Sequence, residues 1–141
     1  MTDTILVAVS DSPAAFTAAE AAIEQARRLG ARLHVLTVIP DGDLGRRMGD
    51  LDRATSRREA GADAVLRHVT ALCRSAGVPV TSVRRHGRVA AEILAEAREV
   101  GASMIVMARV DRPGHAIPSL GSHTLRVLEF AAVPVLVVPG T

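Results

Sequence analysis

The feature that most constrains the fold of this 141-residue chain is an alternation of short apolar runs with longer amphipathic segments. The apolar runs are rich in Val, Leu and Ile and show no polar–apolar alternation, which is typical of strands buried on both faces of a sheet. The segments between them carry apolar residues three and four positions apart, as amphipathic helices do. This order predicts an α/β fold with a parallel sheet. The predicted strands span 4–10, 32–39, 79–83, 104–107 and 133–138.

Residues that cap helices define the first helix. Ser12 followed by Pro13 predicts an N-cap with proline in the first helical position, and Gly30 predicts the C-terminal end. We expect the helix to pack through its apolar positions, which are Phe16, Ala19, Ala22, Ile23, Ala26 and Leu29.

Three more helices are predicted, over 51–76, over 89–100 and from a start near Gly121. The helix over 51–76 presents Val65, Val69, Leu72 and Cys73 on one apolar face, so Cys73 is expected to be a core residue. The polar segment 41–50 contains three glycines and predicts an exposed, mobile loop. The arginines beside it, at 47, 53, 57 and 58, are interpreted as its solvated flank.

Together these elements predict one domain over 1–141, a doubly wound five-stranded sheet with four helices and strand order 3-2-1-4-5. In such sheets, ligands bind beyond the carboxyl ends of the strands, where the strand order reverses. The loops after the first and fourth strands are therefore the expected site.

Charge and cysteine content exclude several classes of protein. Seventeen basic and fifteen acidic residues leave a net charge of +2, and the aromatic residues are two phenylalanines, so we expect no nucleic-acid binding. A single cysteine allows no intrachain disulfide. The N-terminal residues do not look like a signal peptide, and no apolar stretch approaches the roughly 20 residues that span a bilayer. We therefore expect a cytoplasmic protein with no membrane partner.

Four segments carry a resemblance to a known family. They are Ile5-Leu-Val-Ala-Val-Ser-Asp-Ser-Pro13, the fourth strand within 101–108, the segment 120–128 and the last strand within 133–139. In this order the whole chain resembles the universal stress protein family. The resemblance implies the adenine nucleotide alpha hydrolase-like fold, a homodimer formed through the last strand, and a cleft that takes ATP, with magnesium, or a related adenine nucleotide.

Nucleotide-binding members of that family carry a glycine, two residues, a second glycine, nine residues, and then glycine with serine or threonine. In this chain the pattern falls on Ala108, Asp111 and Gly121-Ser122. The spacing and the closing pair are kept, and a Gly-Ser pair at a helix start can present N–H groups to phosphate. The first two glycines are replaced, and Asp111 brings a negative charge toward a polyphosphate.

The first turn also departs from the family, because Ser10 stands where members usually have an aspartate and Asp11 follows it. The backbone near Ile39 matches the adenine-edge contact, Arg109 is a candidate partner for phosphate, and Gly114 adds flexibility to the loop. The cofactor-binding residues that the resemblance implies are Ser10, Asp11, Ile39, Ala108, Arg109, Gly114, Gly121, Ser122, His123 and Thr124.

No catalytic constellation and no metal-ligand spacing are found, so a dedicated enzyme is not predicted, although weak ATPase activity stays open. Glu92 and Glu96, one helical turn apart, are interpreted as an exposed helix face.

Two main functions remain, and a third alternative is a small-molecule pocket at the same place with changed specificity, for a less charged nucleotide. The first is a dimeric regulatory or interaction module of the stress response without tight ATP binding and with an unidentified protein partner; Ser10, Ala108 and Asp111 favour it. The second is a switch driven by an adenine nucleotide, with slow hydrolysis; Gly121, Ser122 and Thr124 favour that one.

Overall fold

A computed structural model of the protein describes residues 2–41, 48–109 and 121–139. Strands and helices alternate along these residues. The strands are β1 (Thr4–Ala8), β2 (Arg32–Pro40), β3 (Val80–Gly87), β4 (Met104–Arg109) and β5 (Val135–Pro139). The helices are α1 (Ala14–Leu29), α2 (Met48–Ser75), α3 (Val89–Glu99) and α4 (Ser122–Phe130).

The strands form one parallel sheet in the order β3-β2-β1-β4-β5, which confirms the predicted fold class and strand order. The central strand β1 pairs on one side with β2, where Val7 is opposite Val35, and on the other with β4, where Val7 is opposite Val106. After β1 the chain adds β2 and β3 on one side of this strand, and it then crosses to the other side to add β4 and β5. The reversal of strand order therefore lies at β1, at the edge where the strands end.

Each face of the sheet is covered by its own core. Ile5 and Val7 of β1 pack with α1 and α2, while Leu6 packs with α3 and α4. Cys73 is fully buried in the first of these cores, as predicted. Because successive side chains of a strand point to opposite faces, a strand covered on both faces is apolar at most of its positions. This is why the apolar runs predicted the strands.

The packing face of α1 differs from the prediction at two positions. Phe16 is 37% exposed and Leu29 is 55% exposed, so the large side chains lie outside the core. The face that meets the sheet is made of alanines, which let the helix approach the strands closely: Ala14, Ala15, Ala18, Ala19, Ala22 and Ala26.

Several element boundaries also differ, two of them by three residues or more. The strand β3 continues through Gly87 because its backbone pairs with β2 as far as Pro40, and Arg84 and Arg85 pair with carboxylates on neighbouring helices. The helix α2 begins at Met48, so the last three residues of the predicted loop are helical, and the other predicted loop residues from 42 to 47 lie outside the described part of the chain.

Glu92 and Glu96 do not form an exposed helix face, so that prediction was wrong. Glu96 is only 6% exposed, and Glu92 is half-buried. Both carboxylates accept hydrogen bonds from Arg85 of β3, which draws this side of α3 onto the sheet. Among the described helices, none is long and apolar enough to cross a bilayer.

Candidate functional site

A cleft opens at the edge of the sheet where β1, β2 and β4 end, and its cavity measures about 460 Å³. Residues from α1, α2 and the first turns of α3 and α4 complete its walls. The cleft therefore occupies the place where the strand order reverses. It brings together eight of the predicted site residues: Ser10, Asp11, Ile39, Ala108, Gly121, Ser122, His123 and Thr124.

The cleft has an apolar floor and a polar rim. Side chains that are buried and apolar form the floor, including Leu36, Ile39, Ile93 and Met107. The exposed side chains at the rim are polar or charged except for Pro40, and the polar and charged ones are Ser10, Asp11, Arg58, Ser122 and His123. Such a cavity suits a ligand with a flat apolar part and a polar or charged part.

The rim on the α4 side is a helix start. Gly121 precedes α4 with φ 80° and ψ 159°, a backbone conformation that is available essentially to glycine alone. The N–H groups of the first helical turn have no partners within the helix, and they carry the positive end of the helix dipole. Ser122 and His123 are exposed beside them, whereas Thr124 is buried. This rim can receive an anionic group.

The rim at the end of β1 is formed by hydroxyl and carboxylate groups. The Oγ atoms of Ser10 and Ser12 lie 3.0 Å apart. Asp11 turns toward α2, where its Oδ2 atom lies 2.6 Å from the place that a Cβ atom on Gly61 would occupy. Asp11 thus approaches the helix backbone at the one position in this turn of α2 that has no side chain.

Two of the predicted binding residues, Arg109 and Gly114, and the motif residue Asp111 are not among the described residues that line the cleft. Arg109 is half-buried at the end of β4 and outside the cleft lining. Gly114 and Asp111 lie outside the described residues. Ala108 does line the cleft, and its φ is negative, so alanine meets no backbone strain where the family motif has glycine.

The sequence prediction missed the wall that α2 contributes. Arg58 and Ala62, one helical turn apart, both line the cleft, although Arg58 was interpreted as part of a solvated flank. Its neighbour Arg57 is exposed and outside the lining, as that interpretation expected. Spacing along α2 could have paired 58 with 62, but the sequence does not indicate which face of the helix meets the cleft.

The prediction also missed a polar cluster in which the half-buried Arg85 and the exposed Thr81 bind the buried side chains of Glu96 and His34. Glu96 Oε1 lies 3.1 Å from His34 Nε2, and Glu96 Oε2 accepts a 2.6 Å hydrogen bond from Arg85. Burial alone raises the pKa of Glu96, but the hydrogen bonds from Arg85 and His34 outweigh it and hold that pKa below its ordinary value. Glu96 is therefore ionised and accepts at both oxygens.

The ionised carboxylate defines the protonation of its neighbours. Since Glu96 can only accept, His34 carries a proton on Nε2, and in a neutral imidazole Nδ1 then accepts from the Thr81 hydroxyl 2.5 Å away. The hydrogen bonds that Arg85 donates to Glu96 and Glu92 raise the pKa of Arg85. The cluster ties α3 to β2 and β3, and α3 supplies Val89 and Ile93 to the cleft.

Within the described residues, no group of three or more His, Cys, Asp or Glu side chains is placed to hold a metal ion.

The fold and the cleft define a class: a doubly wound α/β protein with a ligand cleft where the strand order reverses. The model of the universal stress protein family matches residues 1–139, so the chain belongs to this family. Comparison with the curated proteins gives no match.

Solved structures of the family share the fold over nearly the whole chain. A universal stress family protein from Burkholderia pseudomallei is 30% identical with a TM-score of 0.75, and the match covers 97% of this chain and 96% of that one. A universal stress protein from Archaeoglobus fulgidus, in complex with dAMP, is 20% identical with a TM-score of 0.68 and 98% coverage of both chains. A further universal stress protein, in complex with cAMP, is 21% identical with a TM-score of 0.71, and the match covers 99% of this chain and 98% of that one.

Proposed function

We propose that this protein is a homodimeric regulatory module of the stress response whose cleft binds an adenine nucleotide with few phosphate charges and binds ATP more weakly. The observation that carries this proposal is the cleft itself, in which an apolar floor lies below a rim that includes the start of α4. No catalytic role is proposed for any residue.

The floor suits the base of the nucleotide. Leu36, Ile39, Ile93 and Met107 offer apolar surface to an aromatic ring, and backbone groups at the end of β2 lie along the same wall. A cavity of about 460 Å³ falls within the range of small-molecule sites. Family members in complex with dAMP and with cAMP support the choice of an adenine nucleotide.

The rim suits a small number of phosphate charges. The N-terminus of α4 favours an anion, and Gly121 leaves the backbone free of a side chain there. Asp11 at the same rim is an acidic group that repels a long polyphosphate. In the sequence, Asp111 adds a second carboxylate shortly after β4. These charges favour a monophosphate or cyclic monophosphate over ATP.

Two features support the homodimer. The strand β5 is the last strand of the sheet, and Val135–Pro139 carries half-buried valines and leucine with no strand beyond it in the described chain. The neighbouring helix α4 exposes Leu125, Leu128 and Phe130. Pairing of two β5 strands would cover both the free edge and part of this apolar surface.

The alternative is a switch driven by ATP, with slow hydrolysis. The features that favour it are the Gly121-Ser122 helix start and the buried residue Thr124 in the first turn of α4. These groups would serve the phosphates of ATP as well as the single phosphate of AMP. The two functions differ in which nucleotide binds most tightly.

Calorimetric titration of the protein with AMP, cAMP and ATP-magnesium tests the proposal. We expect micromolar affinity for AMP or cAMP and affinity at least about tenfold weaker for ATP, equivalent to 1.4 kcal/mol. Tighter binding of ATP than of AMP would support the ATP switch instead. An absence of heat with all three at millimolar concentration would overturn nucleotide binding altogether.

The Gly121→Asp variant locates the site, because it adds a carboxylate where the phosphate would sit. We expect it to abolish binding. Gly30→Asp is the control: Gly30 also has positive φ and open space around it, but it ends α1 at the opposite edge of the sheet. Thermal unfolding shows whether both variants fold. For the dimer, light scattering should give twice the 14.8 kDa chain mass, and a monomer at micromolar concentration would overturn that part.

A further inference from the structure

We propose that Arg58 of α2 binds the phosphate group of the nucleotide and makes the cleft specific for a nucleotide over the corresponding nucleoside. This inference rests on the proposed function and assigns to one side chain the discrimination between charged and uncharged ligands. The phosphate would be held from two sides, by the start of α4 and by the Arg58 guanidinium.

The two sides belong to helices on opposite faces of the sheet. The helix α2 packs through Val65, Val69 and Cys73 into the core that it shares with α1. The helix α4 packs through Val127 into the other core. Both reach the cleft at the edge of the sheet, where α2 contributes the exposed Arg58 and α4 contributes the exposed Ser122 and His123. In this proposal the phosphate occupies the part of the cleft that these two helices line.

The period of the helix separates Arg58 from the other charges of α2. Arg58 and Ala62 are four residues apart and line the cleft together. Glu59 and Asp63 are also four apart, and both face β3. Arg57, one residue before Arg58, is exposed and outside the cleft lining. In this part of α2, Arg58 therefore lines the cleft and Arg57 faces solvent. The carboxylates Glu59 and Asp63 face the sheet.

The acidic residues that follow Arg58 along α2 are already engaged. Asp63 lies 2.9 Å from Arg84, and Glu59 lies 3.3 Å from His86 and 3.9 Å from Arg84. Within the described residues, Arg58 itself makes no ion pair or hydrogen bond. In that part of the chain, no carboxylate competes with a ligand for its N–H donors.

The chemistry of these donors selects phosphate. A guanidinium presents two parallel N–H groups that match two oxygens of a phosphate, and such charge-assisted hydrogen bonds are stronger than neutral ones. Ala62, one turn along, is small and leaves room for the ligand beside the arginine stem. Asp11, close to Gly61 on the same wall, opposes a larger negative charge. A wall with one cation and one carboxylate therefore favours a ligand with a single phosphate over a ligand with several.

The test compares Arg58→Gln with Arg57→Gln, which makes the same change of charge on the adjacent, solvent-facing position. AMP and adenosine are titrated into both variants and the wild-type protein. We expect Arg58→Gln to weaken AMP about tenfold or more and to change adenosine less than about twofold, which follows from the strength of hydrogen bonds to charged groups. We expect Arg57→Gln to match the wild type with both ligands.

Each other result overturns the inference. Equal AMP affinity in the two variants would show that Arg58 does not contact the ligand. Equal losses for AMP and adenosine would place Arg58 against the base or ribose. In both cases the proposed function would stand, because the wild type still binds the nucleotide. Wild-type protein that binds neither AMP nor adenosine would remove the proposed function and this inference together.

Discussion

The Nε2 atom of His34 lies 3.1 Å from Oε1 of Glu96, and both side chains are buried between the sheet and α3. The two residues are 62 positions apart in the chain, and they join the second strand to the third helix. Glu96 is also bound by Arg85 from the edge strand β3. One carboxylate therefore connects three elements, and one of them, α3, forms a wall of the cleft.

Removal of this carboxylate should cost much more stability than removal of its exposed neighbour. Glu96→Ala leaves the buried Nε2–H group of His34 and part of the Arg85 guanidinium without a partner, so we expect the free energy of unfolding to fall by about 3 kcal/mol. Glu99 also pairs with Arg85, at 3.3 Å, but its side chain is 64% exposed. Glu99→Ala should cost under about 0.5 kcal/mol. Urea unfolding measures both, and equal losses would show that burial of Glu96 contributes nothing.

The same cluster predicts a loss of stability in acid. The pKa of Glu96 is lower in the folded protein than its ordinary value of 4.5, so the folded state binds its proton later than the unfolded state does. Its contribution is therefore present above pH 4.5 and is lost as the pH falls through the folded pKa. We expect the unfolding free energy of wild type to fall more steeply below pH 4.5 than that of Glu96→Gln. Parallel curves for the two proteins would contradict this.

Much of the fold was predictable because its signals are local. Apolar runs without alternation predicted strands buried on both faces, and the order of strands and helices predicted a parallel sheet. The apolar face of α1 was predicted wrongly at Phe16 and Leu29, since hydropathy gives these residues more weight than alanine, whereas close packing on the sheet selects the alanines.

The residues of the site were likewise predictable only where their signal is local. Gly121 and Ser122 were found because a glycine before a helix start is a local signal. Arg58 was missed because its role depends on the rotation of α2 about its axis, and Glu96 because its partners His34 and Arg85 come from other elements. Long-range pairing of charges leaves no periodic pattern in a single sequence.

Cys73 should be unreactive in the folded protein. The side chain is fully buried in the core between α2 and the sheet, and burial raises the pKa of its thiol despite a backbone hydrogen bond that lowers it. We expect a disulfide reagent at pH 8 to label Cys73 only at the rate of unfolding, and to label it at once in denaturant. Rapid labelling of the native protein would contradict this placement.

Gly61→Ala should stabilise the protein more when Asp11 is removed than when it is present. Glycine in a helix interior is less stable than alanine by about 1 kcal/mol, so Gly61→Ala would ordinarily stabilise α2. Here the new Cβ would lie 2.6 Å from the Asp11 carboxylate, which must move away from α2. We expect Gly61→Ala to raise the unfolding free energy of the Asp11→Ala protein by about 1 kcal/mol. In the wild type the change should be less favourable by about 0.5 kcal/mol or more, which is the size of coupling found between contacting residues. Urea unfolding of the four proteins gives that coupling. Equal effects in both backgrounds would mean that Asp11 does not approach Gly61 in solution.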